Sequence, residues 1–253
     1  MIIFITGITS GIGKALTIHY LGNGDTVVGI GRNKDKLSAL SEMAKNYQGV
    51  LYCQKIDVTS KKKLNDYIDY IENRVGEINI VIANAGIACQ QYQAKLDTRI
   101  LSDLLNVNVV GVMNTIEPIL GYMMQRKRGQ VVIISSMASI QSIPGMSMYC
   151  ASKSAINVLS ESLYWLLQPY HITVTTVCPG FIETEMISSL DVPDIMLVPL
   201  DRSVKKILIA IEKRKKIYYF PYWQRILMVV IKLLPDSVKK NILVNFVDRI
   251  SKY

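Results

Sequence analysis

Short apolar runs at residues 2–5, 26–30, 50–56, 78–83, 130–134 and 172–177 alternate with stretches of helical spacing at 14–21, 34–44, 61–75, 100–124 and 149–167. The runs are strand-length and rich in Val and Ile, residues that fit a pleated, buried surface. Strands separated in this way do not form hairpins. They pair in parallel, because each helix carries the chain back across the sheet. Their near-continuous hydrophobicity agrees with burial on both faces. The expectation is an α/β fold, a doubly wound, mostly parallel sheet flanked by helices. With half of its 253 residues hydrophobic and 19% charged, the chain lies far from disorder and is long enough to bury such a core. No repeat, low-complexity tract or Ser/Gly linker divides it, so residues 1–253 read as one domain.

The last fifth is chemically different. Residues 201–253 hold thirteen basic and four acidic residues, which is the whole formal net charge of +9, whereas residues 1–200 balance sixteen against sixteen. A seventh strand is expected at 217–220, ended by Pro221, and two amphipathic helices after it. Trp223, Ile226, Leu227, Val230, Ile231 and Leu234 share one face of the first, and Val238, Ile242, Phe246 and Ile250 one face of the second. The apolar run 226–231, bounded by Arg225 and Lys232, is too short to cross a bilayer. This end reads as a basic, amphipathic extension. Cys53, Cys89, Cys150 and Cys178 are scattered, with no C-x-x-C pair and no nearby His, so neither a disulfide framework nor a metal site is supported and a reducing compartment fits. The first residues have no basic flank and only four consecutive apolar side chains, so no secretory signal is expected and the setting reads as cytoplasmic.

Thr6-Gly7-Ile8-Thr9-Ser10-Gly11-Ile12-Gly13 directly follows the first strand and opens the first helix. Glycine permits a tight turn and close approach of backbone to a phosphate, and the free amides at a helix N-terminus favour an anion. Asp57-Val58 and Asn84-Ala85-Gly86 close the third and fourth strands, and ligands of open α/β sheets sit at those carboxyl ends. Ser135-Ser136 closes the fifth. Tyr149 and Lys153 follow at i, i+4, which puts a phenol and an ammonium on one helical face, where the cation lowers the Tyr pKa. His19 and His171 have no partners in sequence, Cys150 lies about 100° around the helix from Tyr149, and Lys61, Lys62 and Lys63 read as an exposed first turn; none is assigned a role.

Gly-x3-Gly-x-Gly at 7–13, Asn84-Ala85-Gly86, Asn108, Ser136 with Tyr149 thirteen residues on, Lys153, and Pro179-Gly180 with Thr184 together resemble the short-chain dehydrogenase/reductases, over residues 1 to about 190. The resemblance implies a Rossmann sheet of about seven parallel strands, a nicotinamide cofactor and a carbonyl/alcohol reaction. In it, Tyr149 is the acid/base, Lys153 lowers its pKa and holds the nicotinamide ribose, Ser136 hydrogen-bonds the substrate oxygen, and Asn108 seats a water that extends the proton path. Gly7, Ser10, Gly11, Ile12 and Gly13 resemble the pyrophosphate loop, and Asp57 and Val58 the adenine contact. Asn84, Ala85 and Gly86 resemble the adenosine-ribose wall, and Pro179, Gly180, Ile182 and Thr184 the carboxamide side.

The second strand ends Gly31-Arg32-Asn33 with no acid before Asp35, which favours NADP(H) over NAD(H), although Ser10 stands where many NADP-binding relatives place a cation. The segment after Gly180 is oily, with Phe181, Met186, Ile187, Leu190, Val192, Ile195, Met196, Leu197 and Val198, so residues 185–200 read as a lid over a lipophilic keto-lipid, sterol-like or 3-keto long-chain substrate. Relatives pair through helices corresponding to 100–124 and 149–167, which implies a homodimer or homotetramer. The basic, apolar end suits an anionic membrane surface and disfavours nucleic acid. The rival readings are an idle NADP-binding sensor or scaffold, and a membrane-surface protein. Loss of Ser136, Tyr149 or Lys153 would mark the first, and all three are present.

Overall fold

The computed structural model describes residues 1–88, 97–188 and 190–250. Its strands are β1 (Ile2–Thr6), β2 (Thr26–Gly31), β3 (Val50–Lys55), β4 (Ile80–Ala83), β5 (Gly129–Ile134), β6 (Ile172–Pro179), the two-residue β7 (Phe181–Ile182) and β8 (Leu197–Val198), and β9 (Ile217–Phe220). Seven of them form one parallel sheet in the order β3-β2-β1-β4-β5-β6-β9. Its first six strands have the 3-2-1-4-5-6 order of dinucleotide-binding sheets, with the topological switch between β1 and β4.

Successive side chains alternate between two cores, as the two-residue period of a strand requires. Ile3 and Ile5 pack with Val132, Ile134 and Val177 on one face; Phe4, between them, packs with Val131, Ile133 and Val174 on the other. The first face is covered by α1 (Gly11–Gly22), α2 (Lys34–Ala44) and, later in the chain, Leu200–Glu212; the second by α3 (Lys61–Arg74), α5 (Gly111–Gln125) and α6 (Ser147–Leu166), with α4 (Thr98–Leu105) leading into α5. Burial of both faces is the physical reason that the runs are continuously apolar. The helix spanning 98–125 is long and apolar enough to cross a membrane by length and composition, but Val112, Ile116, Ile119 and Met123 are buried against the sheet.

Two features depart from the sequence reading. Helix α7 (Leu200–Glu212) was hidden in the basic segment: Asp201, Arg202, Lys205 and Lys206 are exposed, while Val204, Ile207, Ala210 and Ile211 are buried and complete a core. Then α8 (Tyr222–Leu233) and α9 (Asp236–Ile250) follow, and α8 has the other phase from the one expected. Gln224, Met228 and Ile231 are buried, whereas Trp223, Ile226, Leu227 and Val230 of the expected inner stripe are exposed. Gln224 sets that phase. Its Oε1 occupies the space where a Cβ at Gly180 would stand, and its Nε2 donates to the Met196 carbonyl at 2.8 Å. In α9 the inner face is Leu243, Val247 and Ile250, with Val238 and Ile242 exposed.

Candidate active site

Between β1 and α1 the chain turns through Gly7 and Gly11, at φ +75° and +49°. A Cβ at Gly13 would stand 2.2 Å from the Gly7 carbonyl oxygen, so only glycine lets the first turn of α1 close on the loop. Ser10 is the N-cap residue, makes no side-chain capping bond, and no acid lies in the first turn. The orphan amides and positive end of α1 are thus free to meet an anion. Asn84 fastens this loop to the end of β4: its Nδ2 donates to the Thr6 carbonyl at 2.9 Å, while the Thr6 hydroxyl oxygen accepts from the amides of Asn84 and Ala85 at 3.1 and 3.0 Å.

One cavity of about 670 Å³ runs across these carboxyl ends, within the usual range for a cofactor-sized site. At one extremity lie Arg32 and Asn33, then Asp57 and Val58. Gly7, Ser10, Gly11 and Ile12 line the middle with Asn84, Ala85 and Gly86. Ser136, Tyr149, Lys153, Pro179, Gly180, Ile182 and Thr184 line the other end. Of the catalytic and cofactor-binding residues expected from the sequence, only Gly13 and Asn108 do not line it, Gly13 being packed behind the loop. A groove with a helix N-terminus at its centre and a cation at one end fits a dinucleotide phosphate.

Asn108 is fully buried at the centre of a π turn, Asn106–Val110, that interrupts the helix between α4 and α5. Such single π turns often mark functional sites. Its Oδ1 accepts from the Ile87 amide at 2.8 Å, and its Nδ2 donates to the Ile87 carbonyl at 2.9 Å and the Ser152 hydroxyl at 3.0 Å. The side chain therefore clamps the loop after β4 to α6, and its amide protons are spent on that clamp.

Tyr149 lies in the first turn of α6, with Lys153 one turn on. The Tyr149 ring packs against the cluster of Ala138, Ile143, Cys150 and Met228. Desolvation pushes its phenol up to about 12, against a smaller lowering by the hydrogen bond with Ser136. Lys153 is buried beneath it, its Nζ donating to the Ile134 carbonyl at 3.1 Å and lying 5.8 Å from the centre of the Tyr149 ring. Burial brings its own pKa down to about 8. The sequence expectation that the cation lowers the phenol is thus corrected: in the protein alone desolvation dominates both groups, and the ammonium is turned toward a main-chain carbonyl. Ser136 also accepts from the Ala138 amide at 3.1 Å, which fixes the turn that carries it.

The family model for short chain dehydrogenases matches residues 1–193. The chain belongs to the short-chain dehydrogenase/reductase family. It is an NAD(P)-dependent oxidoreductase acting on CH–OH and C=O groups. It is 31% identical over 186 residues to the 3-oxoacyl-acyl-carrier-protein reductase of Thermotoga maritima, covering 74% of this chain and 76% of that one. An uncharacterized oxidoreductase of Myxococcus xanthus is 27% identical over 234 residues, 92% of each chain. Among solved structures, a short-chain dehydrogenase from Streptomyces avermitilis superposes with a TM-score of 0.80 at 25% identity, covering 95% of each chain. One from Sphingobium yanoikuyae in complex with NADPH superposes at 0.79, with 22% identity and coverage of 93% and 97%. A third, from Mycobacterium paratuberculosis and bound to NAD, gives 0.78 at 22% identity, covering 86% and 94%.

In this short-chain dehydrogenase the structure adds lining residues that the sequence left unmarked. Lys36, in the first turn of α2, lines the cavity near Arg32 and forms an ion pair at 3.0 Å with Glu185, so that it reaches across to the segment after β7. Its position four residues after Arg32 was the available signal. Arg32 itself is 66% exposed, with its NH1 3.9 Å from Asp57 Oδ2. Ile143, Met146, Gln224 and Met228 line the Tyr149 end, the last two from α8, in keeping with the resemblance, which draws the substrate pocket partly from the C-terminus. Within 185–200, Met186, Ile187 and Leu190 line the cavity, while Val192 and Met196 pack with Ile250. Cys150 and Cys178 are buried; Cys89 lies outside the described residues. No cluster of metal-ligating side chains occurs among the described residues.

Proposed function

We propose that this short-chain dehydrogenase reduces a lipophilic ketone to a secondary alcohol with NADPH. The observation that carries the reading is the apolar end of the cavity: Ile143, Met146, Phe181, Ile187, Leu190 and Met228 surround the Tyr149 side, where a keto-lipid, sterol-like or 3-keto long-chain compound would place its carbonyl. The names of several relatives specify a 3-oxoacyl group, a ketone on an acyl chain, which supports the same substrate class. NADPH is preferred in this reading because Arg32 and Lys36 supply two cations at the far end, where an adenosine 2′-phosphate would lie.

When bound, the nicotinamide supplies the hydride to the carbonyl carbon. Tyr149, whose phenol stays protonated to about 12, gives its proton to the carbonyl oxygen as charge develops there. Ser136 hydrogen-bonds the same oxygen, Lys153 holds the ribose, and Asn108 keeps α6 and the loop after β4 in register. Gly7, Ser10, Gly11 and Ile12 take the pyrophosphate, Gly13 letting α1 close behind them, with the remaining lining residues in the roles that the family resemblance gave them.

The enzyme is proposed to act in the cytoplasm, at the inner face of a membrane, as a homodimer or homotetramer. Val158, Trp165 and Leu166 of α6 are 70%, 57% and 64% exposed, an apolar surface that a second copy would cover. The test is turnover of ketones graded by chain length and polarity, with NADPH and with NADH. Efficiency rising with chain length, and higher with NADPH, is expected. A polar sugar ketone as the best substrate, or tighter binding of NADH, would overturn the substrate or cofactor assignment. Tight NADPH binding without turnover of any carbonyl would fit the sensor reading instead.

A further inference from the structure

We propose that the outward face of α8 docks this enzyme on an anionic lipid surface, and that the same helix, through its inner face, walls the pocket into which the oily carbonyl passes. The inference rests on the reading of the cavity as a site for a lipophilic substrate. A helix with apolar side chains on two opposite faces is normally enclosed on both, and α8 is not. At 100° per residue, Gln224, Met228 and Ile231 fall together and are buried. Tyr222, Ile226, Val229, Val230 and Leu233 centre on the opposite side and are 38–80% exposed. Trp223, at the edge of that face, is 43% exposed, and α9, joined to α8 by Leu234 and Pro235, exposes Val238 and Ile242 beyond it. Aromatic side chains at the margin of an apolar helix face suit the headgroup level.

Charge decides between occupants. Arg225 and Lys232 lie two turns apart on one flank of α8, and residues 222–250 hold five basic and two acidic side chains, one of which, Asp236, is paired with Lys239 at 3.2 Å. A second copy seated on this face by a two-fold axis would set like charges against each other, whereas anionic headgroups neutralise them. Lys213, Arg214, Lys215 and Lys216 are not part of the face: they precede β9, whose far end carries α8. The link to chemistry is direct, because Gln224 and Met228 on the buried side line the catalytic cavity. Lipid contact on one side of α8 thus places the pocket wall where oily ketones partition.

The test is co-sedimentation of the full chain with vesicles of phosphatidylcholine alone and of phosphatidylcholine with phosphatidylglycerol, at low and high salt. Wild type is expected to pellet with the anionic vesicles at low salt and to be released by high salt. In a Trp165→Phe background, Trp223 fluorescence should be quenched by brominated acyl chains. A variant carrying Ile226→Ser, Val230→Ser and Leu233→Ser should stay in the supernatant while keeping its circular dichroism, its NADPH binding and its turnover of a short, water-soluble ketone. Its turnover of a long-chain ketone carried in anionic vesicles should fall by at least fivefold. Wild type remaining in the supernatant at low salt, or a triple variant that pellets as wild type does, overturns the proposal. So does a shift of the variant to a smaller assembly without any wild-type lipid binding, which would give the face to a second copy. Absence of NADPH-dependent carbonyl turnover in solution would sink the substrate reading and leave the vesicle result standing separately.

Discussion

Tyr149 and Lys153 are one turn apart, and burial moves them in opposite directions, the phenol up to about 12 and the ammonium down to about 8. Tyr149→Phe keeps the ring and removes the proton, so turnover should fall by at least ~10²-fold while NADPH binding persists; steady-state kinetics beside a binding titration checks it. The folded protein releases the Lys153 proton near 8 and the unfolded chain near 10.5, so between those values the unfolded state holds more protons and stability rises with pH. Below about 8 the burial penalty of the ammonium is complete, on the order of 3 kcal/mol. Lys153→Met should therefore raise the melting temperature of the cofactor-free protein at neutral pH, with the gain shrinking toward pH 10, although turnover is lost. A gain of the same size at both pH values would contradict the buried-charge argument. At the other end of the cavity, Arg32→Glu should weaken NADPH at least roughly tenfold, about 1.4 kcal/mol, and NADH much less. Lys36→Gln should move the ratio the same way by a smaller factor, read by titration of both nucleotides.

The helix at 98–125 illustrates what an element contributes. Its apolar residues pack it on the sheet, and the π turn at Asn106–Val110 turns one Asn inward to bind two other segments. Asn108→Ala would leave the Ile87 amide and carbonyl without their partner in a buried position, a loss of about 2–3 kcal/mol. Both a lowered melting temperature and reduced turnover are expected, since α6 carries Tyr149; unchanged values of both would show that the clamp is dispensable. The glycine loop, the strand ends and the Tyr149–Lys153 spacing were all legible in sequence because they are local: each depends on residues within one turn or one loop. The phase of α8 was not, because it depends on Gln224 meeting Gly180 and Met196, forty-four and twenty-eight residues away.

At the scale of the molecule, α6 and α8 each expose several apolar side chains on one face, and the two faces call for different partners. The α6 surface carries Val158, Trp165 and Leu166, so Val158→Glu should convert the assembly to monomers in sedimentation velocity; a monomeric wild type would refute the homo-oligomer outright. The sequence by itself determined the alternation of strands and helices, the residues along the cavity and the class of chemistry. These are written in two- and four-residue periods and in short motifs that a single strand end or helix start displays. Only the tertiary structure decided which side of α8 faces water, that α7 belongs to the core, that Lys36 meets Glu185 across the groove, and that burial raises the Tyr149 phenol. Each of these is a balance of desolvation and packing among residues distant in the chain, and such balances exist only once the chain has folded.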